Sequence, residues 1–195
     1  MFLIADSGSS KTGWRLTDKE TVFPFYTEGL NPYYKTIDEI KSVLQRDLIP
    51  DLPSKAGEIT KVYFYGAGCS VAAKCEEVKK ALSDCFPSAD IYVEHDILGA
   101  ARACCGHEKG IVCILGTGSN SCYYDGTNTV RTIGGLGYIL GDEGSGCHIG
   151  KAIVAAYLNH EMPEELENDF YNTYHLDKGS IDKKVYQEPN ANRFL

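Results

Sequence analysis

Two hydroxyl-rich glycine turns in this chain have the composition of a phosphate cradle. Asp6-Ser7-Gly8-Ser9-Ser10-Lys11-Thr12 follows the apolar run Leu3-Ile4-Ala5, and Gly116-Thr117-Gly118-Ser119-Asn120 follows Cys113-Ile114-Leu115, and the two align without a gap. Backbone N–H groups in such a turn, with small hydroxyls beside them, form a concavity suited to an anion. Each copy runs on into a second extended segment, residues 12–17 and 121–124, so each reads as a hairpin. Turns of this composition also serve as plain hairpin connections. Their repetition, and the carboxylate of Asp6 at the end of the first strand, favour a clamp that holds a polyphosphate from two sides. Neither turn is a G-x-x-x-x-G-K-[ST] loop, and no G-x-G-x-x-G joins a strand to a helix, so the site belongs to a different architecture.

Those turns need elements to carry them. The first hairpin is followed by residues 21–26, a third strand placed at a sheet edge because Pro24 cannot donate to a ladder. Thr36 and Glu39 have capping-box spacing, and Ile37, Ile40, Leu44 and Leu48 recur at helical intervals, which predicts a helix to about Ile49, stopped by Pro50 and Pro53. A strand over 61–65, a helix over 71–86, a strand over 90–94 and a helix over 97–105 complete the first half. Strands separated by helices imply a parallel sheet with an antiparallel hairpin at one side. In the second half Asp125-Gly126 marks a turn, residues 129–133 a strand, 145–160 a helix with Ile149, Ile153 and Ala156 aligned, and 163–174 a helix with Pro at its first position. The second copy stops short of the element order that the first completes. This predicts a first domain over 1–107 and the beginning of a second over 108–195, cut from a longer protein.

Composition narrows the chemistry. The 195 residues are 43% hydrophobic and 24% charged, with net charge −8 and no basic run, which makes nucleic acid an unsuitable partner. The apolar run before Asp6 is too short for a signal peptide or a membrane span, so a cytoplasmic location is the default. Eight cysteines contain no C-x-x-C pair and fall mostly in apolar segments, where a thiol behaves as a small hydrophobe. The five histidines form no ligand spacing, and the lone Trp14 reads as core.

The motifs together resemble the sugar kinase, actin and heat-shock ATPase superfamily, and within it the N-acetylglucosamine kinase and BadF/BadG-type ATPase family. Residues 6–12 are similar to that family's D-G-G-G-[ST]-K-T loop, and Gly116-Thr117-Gly118-Ser119 to its G-T-G-S loop. Gly134-Gly135-Leu136-Gly137 with Gly141-Asp142-Glu143-Gly144-Ser145 is similar to its G-G-W-G and G-D-E-G-S signature. Ser7 stands where the motif has glycine, and Leu136 where it has tryptophan.

The resemblance implies two ribonuclease H-like α/β domains with ATP, Mg²⁺ and a sugar in the cleft between them. Ser7, Gly8, Ser9, Ser10, Lys11 and Thr12 would meet the phosphates from one domain, and Gly116, Thr117, Gly118 and Ser119 from the other. Lys11 reads equally well as a solvated side chain. Asp6 would hold hydrated Mg²⁺. Asp96 would be the general base, at the end of a parallel strand where open α/β sheets place ligands, although an Asp before a helix is also a favoured N-cap. Asn31, Gly135, Leu136 and Asp142 would face the sugar, with Asp142 and Glu143 also suited to a helix start.

The expected reaction is ATP-dependent phosphorylation of the primary hydroxyl of N-acetylglucosamine or a related hexosamine. An ATPase activating a partner enzyme and a non-catalytic sugar or nucleotide sensor are the alternatives. The adenine pocket is expected beyond Leu195, and a homodimer is common among similar kinases.

Overall fold

The computed structural model describes residues 1–53, 57–189 and 191–195. The chain divides into two compact units: Met1–Gly110 with Tyr124–Thr129, and Ile111–Tyr123 with Val130–Leu195.

In the first unit β1 (Phe2–Ser7), β2 (Lys11–Thr17) and β3 (Val22–Glu28) form an antiparallel meander, and β1 also pairs in parallel with β4 (Lys61–Gly66), which pairs in parallel with β5 (Asp90–His95). The sheet order is β3-β2-β1-β4-β5. The mixed sheet is the one the element order implies, and β3 with Pro24 lies at its edge. Alternation decides the faces: Leu3, Ala5, Trp14, Leu16, Val62 and Phe64 point into one core. Against them pack Ile40 and Val43 of α1 (Ile37–Val43) and Val78, Ala81 and Leu82 of α2 (Ala72–Cys85). Burying each large side chain of this set stabilises the fold by roughly 1.5–3 kcal/mol. Trp14 is fully buried, with its indole N–H donating to Thr27 Oγ1 at 3.1 Å. It is core, as its sequence setting indicated.

The other face carries α3 (Asp96–Cys105), which packs against β4, β5 and β1. Gly99 makes this approach possible, since a Cβ there would sit 2.6 Å from Tyr65 Cγ. Thr36 caps α1 with the reciprocal box that the spacing indicated: Glu39 N–H donates to Thr36 Oγ1 at 3.3 Å and Thr36 N–H to Glu39 Oε2 at 2.7 Å. Beyond Val43 the helix does not continue unchanged to Ile49. It widens to a π-helical turn over Leu44–Leu48 and closes in a 3₁₀ turn over Ile49–Asp51, where Pro50 supplies no N–H.

The second unit holds a three-stranded sheet, β6 (Gly110–Leu115), β7 (Ser119–Tyr124) and β8 (Thr129–Gly134), in that order. It continues through α4 (Gly137–Leu140), α5 (Gly146–Leu158), α6 (Glu164–Tyr174), α7 (Lys178–Tyr186) and α8 (Ala191–Phe194). Pro163 is the N-cap of α6 rather than its first residue. The aligned Ile149 and Ile153 of α5 are exposed rather than packed inward.

Candidate functional site

In the first unit, β1 ends at Asp6-Ser7 and the chain turns through Gly8, Ser9 and Ser10, closed by Gly8 N–H donating to Lys11 O at 2.9 Å. The pleat sends Ser7 inward and Asp6 outward. Ser7 and Thr12 are buried with their hydroxyls 2.8 Å apart; Ser7 Oγ also accepts Leu30 N–H at 3.1 Å, and Thr12 Oγ1 donates to Glu28 O at 3.0 Å. Both hydroxyl hydrogens are therefore committed inside the loop, and these two side chains shape the turn instead of lining its mouth. The backbone at Ser7 has no left-handed φ, so the missing motif glycine costs nothing there. Ser10 and Lys11 are exposed, with Ser9 and Gly8 half-buried.

The segment 28–31 lies directly on this turn. Gly29 N–H donates to Ser10 O at 3.0 Å, and a Cβ on Gly29 would sit 2.5 Å from Gly8 O, so only glycine permits the approach. Asn31, 7% exposed, accepts Tyr33 N–H at 2.9 Å through Oδ1 and donates from Nδ2 to Ser9 Oγ at 3.2 Å. Spacing had given no role to Gly29, whose glycine reads as an ordinary loop residue until its neighbour is known.

Asp96 follows the last residue of β5. His95, not Asp96, is the N-cap; Asp96 is the first helical residue, and its Oδ1 accepts the N–H of Ile97 at 2.9 Å. Burial pushes the Asp96 carboxyl above the ordinary aspartate value, the Ile97 N–H and His95 pull it down, and the charge of Asp6 pushes it up again. The charge of Asp6 reaches Asp96 across the strand ends, since Asp6 pairs with Tyr65 and Tyr65 with Glu94. The carboxylate of Asp6 is exposed and accepts no hydrogen bond among the described residues.

In the second unit the loop after β6 is stitched to the start of α5: Gly146 N–H donates to Gly116 O at 2.8 Å and Cys147 N–H to Thr117 O at 3.2 Å. Ser145 caps α5, its Oγ accepting His148 N–H at 3.1 Å. Asp142 stands three residues ahead of that cap in the left-handed region, φ 61°, only 7% exposed. Its carboxylate presses on Gly118, where a Cβ would lie 2.7 Å from Oδ2. Gly135, at φ 66°, donates its N–H to Ser119 O at 3.0 Å, and Leu136 beside it is exposed. The Asn120 carboxamide lies against Gly135, and its buried Oδ1 has no partner among the described residues. Thus Ser119 and Asp142 each touch the other motif of this unit, a proximity that the sequence separation conceals.

All eight cysteines are free thiols, and burial pushes Cys69 up to about 12, consistent with packing use. No group of three or more His, Cys, Asp or Glu among the described residues is arranged to hold a metal ion.

Comparison with known proteins agrees with the motifs. No protein-family model matches the chain. A solved structure from Porphyromonas gingivalis, assigned as an N-acetylglucosamine kinase, is 45% identical over 100% of this chain and 69% of its own, with a TM-score of 0.94. This chain belongs to the N-acetylglucosamine kinase family. A second structure so assigned, from Chromobacterium violaceum, is 20% identical over 98% of the chain and 70% of its own, TM-score 0.62, and shows the shared fold alone. The curated N-acetylmuramic acid/N-acetylglucosamine kinase of Clostridium acetobutylicum is 33% identical over 162 residues, which are 77% of this chain. The chain spans about half the length, 51%, of that curated relative. The family and the actin-like ATPase fold expected from the motifs are those that the comparisons give. No helix among the described residues is long and apolar enough to cross a membrane.

Proposed function

We infer that this chain carries the phosphate loops and the base of an ATP-dependent kinase acting on the primary hydroxyl of N-acetylglucosamine or a related hexosamine. The observation that supports it most is Asp96: a half-buried carboxyl at the end of a parallel strand, its pKa raised, within electrostatic reach of Asp6. Asp96 takes the proton of the primary hydroxyl as that oxygen bonds the γ-phosphorus; the bond to the bridging oxygen breaks, and ADP leaves with the electron pair. The exposed Ser10 and Lys11, with Ser9 beside them, bind phosphate oxygens, while Ser7, Thr12 and the Gly8 N–H bonded to Lys11 O hold that loop in shape. On its motif, the second turn offers Thr117, Gly118 and Ser119 as phosphate donors, and Gly116, whose N–H donates to Gly118 O at 2.9 Å, closes that turn. On the motifs, Asn31 of the first unit and Gly135, Leu136 and Asp142 of the second are each assigned to sugar contact. An exposed carboxylate with no protein donor suits hydrated Mg²⁺, so Asp6 would hold the ion, which neutralises phosphate charge when bound. We place the chain in the BadF/BadG-type set on its D-S-G-S-S-K-T and G-D-E-G-S motifs, and in the cytoplasm, where ATP is at hand.

The test is product analysis by mass spectrometry after incubating the intact protein with ATP, Mg²⁺ and a panel of N-acetylglucosamine, N-acetylmuramic acid, glucosamine and glucose. One phosphoryl group should be added to at least one N-acetylated sugar and none to its analogue lacking the primary hydroxyl. ATP hydrolysis with every sugar left unmodified would instead favour the partner-activating ATPase.

A further inference from the structure

The tip of the β7–β8 hairpin, Tyr124–Thr129, belongs to the first compact unit, while the rest of both strands belongs to the second. Its two end residues show what holds it there. Thr129 Oγ1 lies 3.2 Å from His95 Nε2, and the Tyr124 hydroxyl donates to Gly106 O at 3.1 Å. His95 is the N-cap of α3 and Gly106 its C-cap. The tip therefore ties α3 at both caps, which stand about 15 Å apart along a helix of this length. The tip is itself stiff. Asp125 Oδ1 accepts the N–H groups of Thr127 and Asn128 at 2.9 and 2.8 Å, and Asp125 N–H donates to Asn128 O at 3.1 Å. Gly126, at φ 99°, is seated against His107 O, where a Cβ would run into that oxygen.

Asp96 is the first residue of α3 and follows directly on His95, so the aim of its carboxyl depends on how α3 is held. Apolar packing on the sheet is non-directional and lets a helix slide or roll slightly; hydrogen bonds at its two ends are directional and resist both. We propose that the β7–β8 tip is a brace for α3, with Thr129 the positioning residue that aims Asp96 and Tyr124 the anchor at the far end. This rests on the reading of Asp96 as the base. Thr129 acts through His95: whether the imidazole N–H donates to the hydroxyl or the hydroxyl to the ring nitrogen, the last residue of β5 is held from the side. A loosely aimed base leaves binding intact and is less often in line with the proton, a loss that falls on kcat and spares KM.

Steady-state kinetics of the intact protein with ATP, Mg²⁺ and the hexosamine that it phosphorylates test this, with kcat taken per folded protein from each variant's melting curve. Thr129→Val keeps the β-branched shape and removes the hydroxyl. It should lower kcat at least about tenfold, short of the roughly 100-fold that a 1 Å misplacement can cost, with both KM values close to wild type. Thr129→Ser should recover the wild-type kcat, and Tyr124→Phe should lower it by less than Thr129→Val does. A Thr129→Val protein as fast as wild type overturns the brace, and so does a Thr129→Ser protein as slow as Thr129→Val. Asp96→Asn, assayed beside them, separates the two claims. If it loses turnover while Thr129→Val and Tyr124→Phe keep theirs, the brace alone fails. If Asp96→Asn is as fast as wild type, or the wild type phosphorylates no hexosamine, the reading of Asp96 as a kinase base fails and the brace with it.

Discussion

As the proposed base, Asp96 carries two opposed demands. A base must be ionised to take a proton, yet burial makes the ionised form costly, and the neighbouring Asp6 charge adds to that cost. The acid limb of kcat/KM should therefore have its midpoint above about 4, the ordinary aspartate value, with activity falling as pH drops through it. A pH–rate profile in which activity persists unchanged below that value would remove Asp96 as the group that must ionise. The same shift acts on stability with a definite sign. A carboxyl whose folded pKa is raised contributes stability that is complete below the unfolded pKa and is lost as pH rises through the folded one. Asp96→Asn, which cannot ionise, should therefore melt above wild type at pH 7.5, with the gain fading as pH approaches about 4. Its turnover should fall by roughly 10²–10⁴-fold. Differential scanning calorimetry at the two pH values, beside a turnover assay, checks both halves. Nothing in the residue string gave this burial. Position at a strand end indicated Asp96, whereas its first-turn place in α3, with His95 as the cap, follows from packing.

Elements were legible where chemistry is local. The Thr36–Glu39 box, the Pro24 edge strand and the Asp125-Gly126 turn each depend on residues within a few positions, and each forms as read. Thr36→Ala should cost about 1 kcal/mol. In a chain of this length that lowers the melting temperature by roughly 2–4 °C, and an unchanged temperature would mean that the cap is idle. Long-range constraints were not legible. The π-helical turn at Leu44–Leu48 interrupts a continuous apolar period, and α4 forms inside a glycine-dense stretch whose propensity is poor. Close approaches behaved alike: Gly29 against Gly8 and Gly118 against Asp142 join segments far apart in sequence. Gly118→Ala should displace the Asp142 carboxylate, and the expected reading is an increase of KM of about tenfold or more for the sugar, on the order of one lost charged hydrogen bond. Unchanged KM would show that the Asp142 carboxylate has room to move.

At the scale of the molecule, the repeated strand and Gly/hydroxyl turn was readable because both copies keep the same order of residue types, and the family followed from them. What could not be read was which turn residues face outward. Ser7 and Thr12 have the composition of phosphate donors and are turned inside by the pleat, leaving Ser9, Ser10 and the backbone to meet a ligand. Two copies of the strand and turn, a half-buried carboxyl at a strand end and an exposed carboxylate are what the proposal of sugar-dependent phosphoryl transfer rests on. ADP release by the intact protein, followed with and without N-acetylglucosamine in wild type and Asp96→Asn side by side, tests it most directly. The account predicts release that rises with the sugar in the wild type and loses that rise in the variant; release indifferent to every hexosamine, or a variant as fast as wild type, would contradict it.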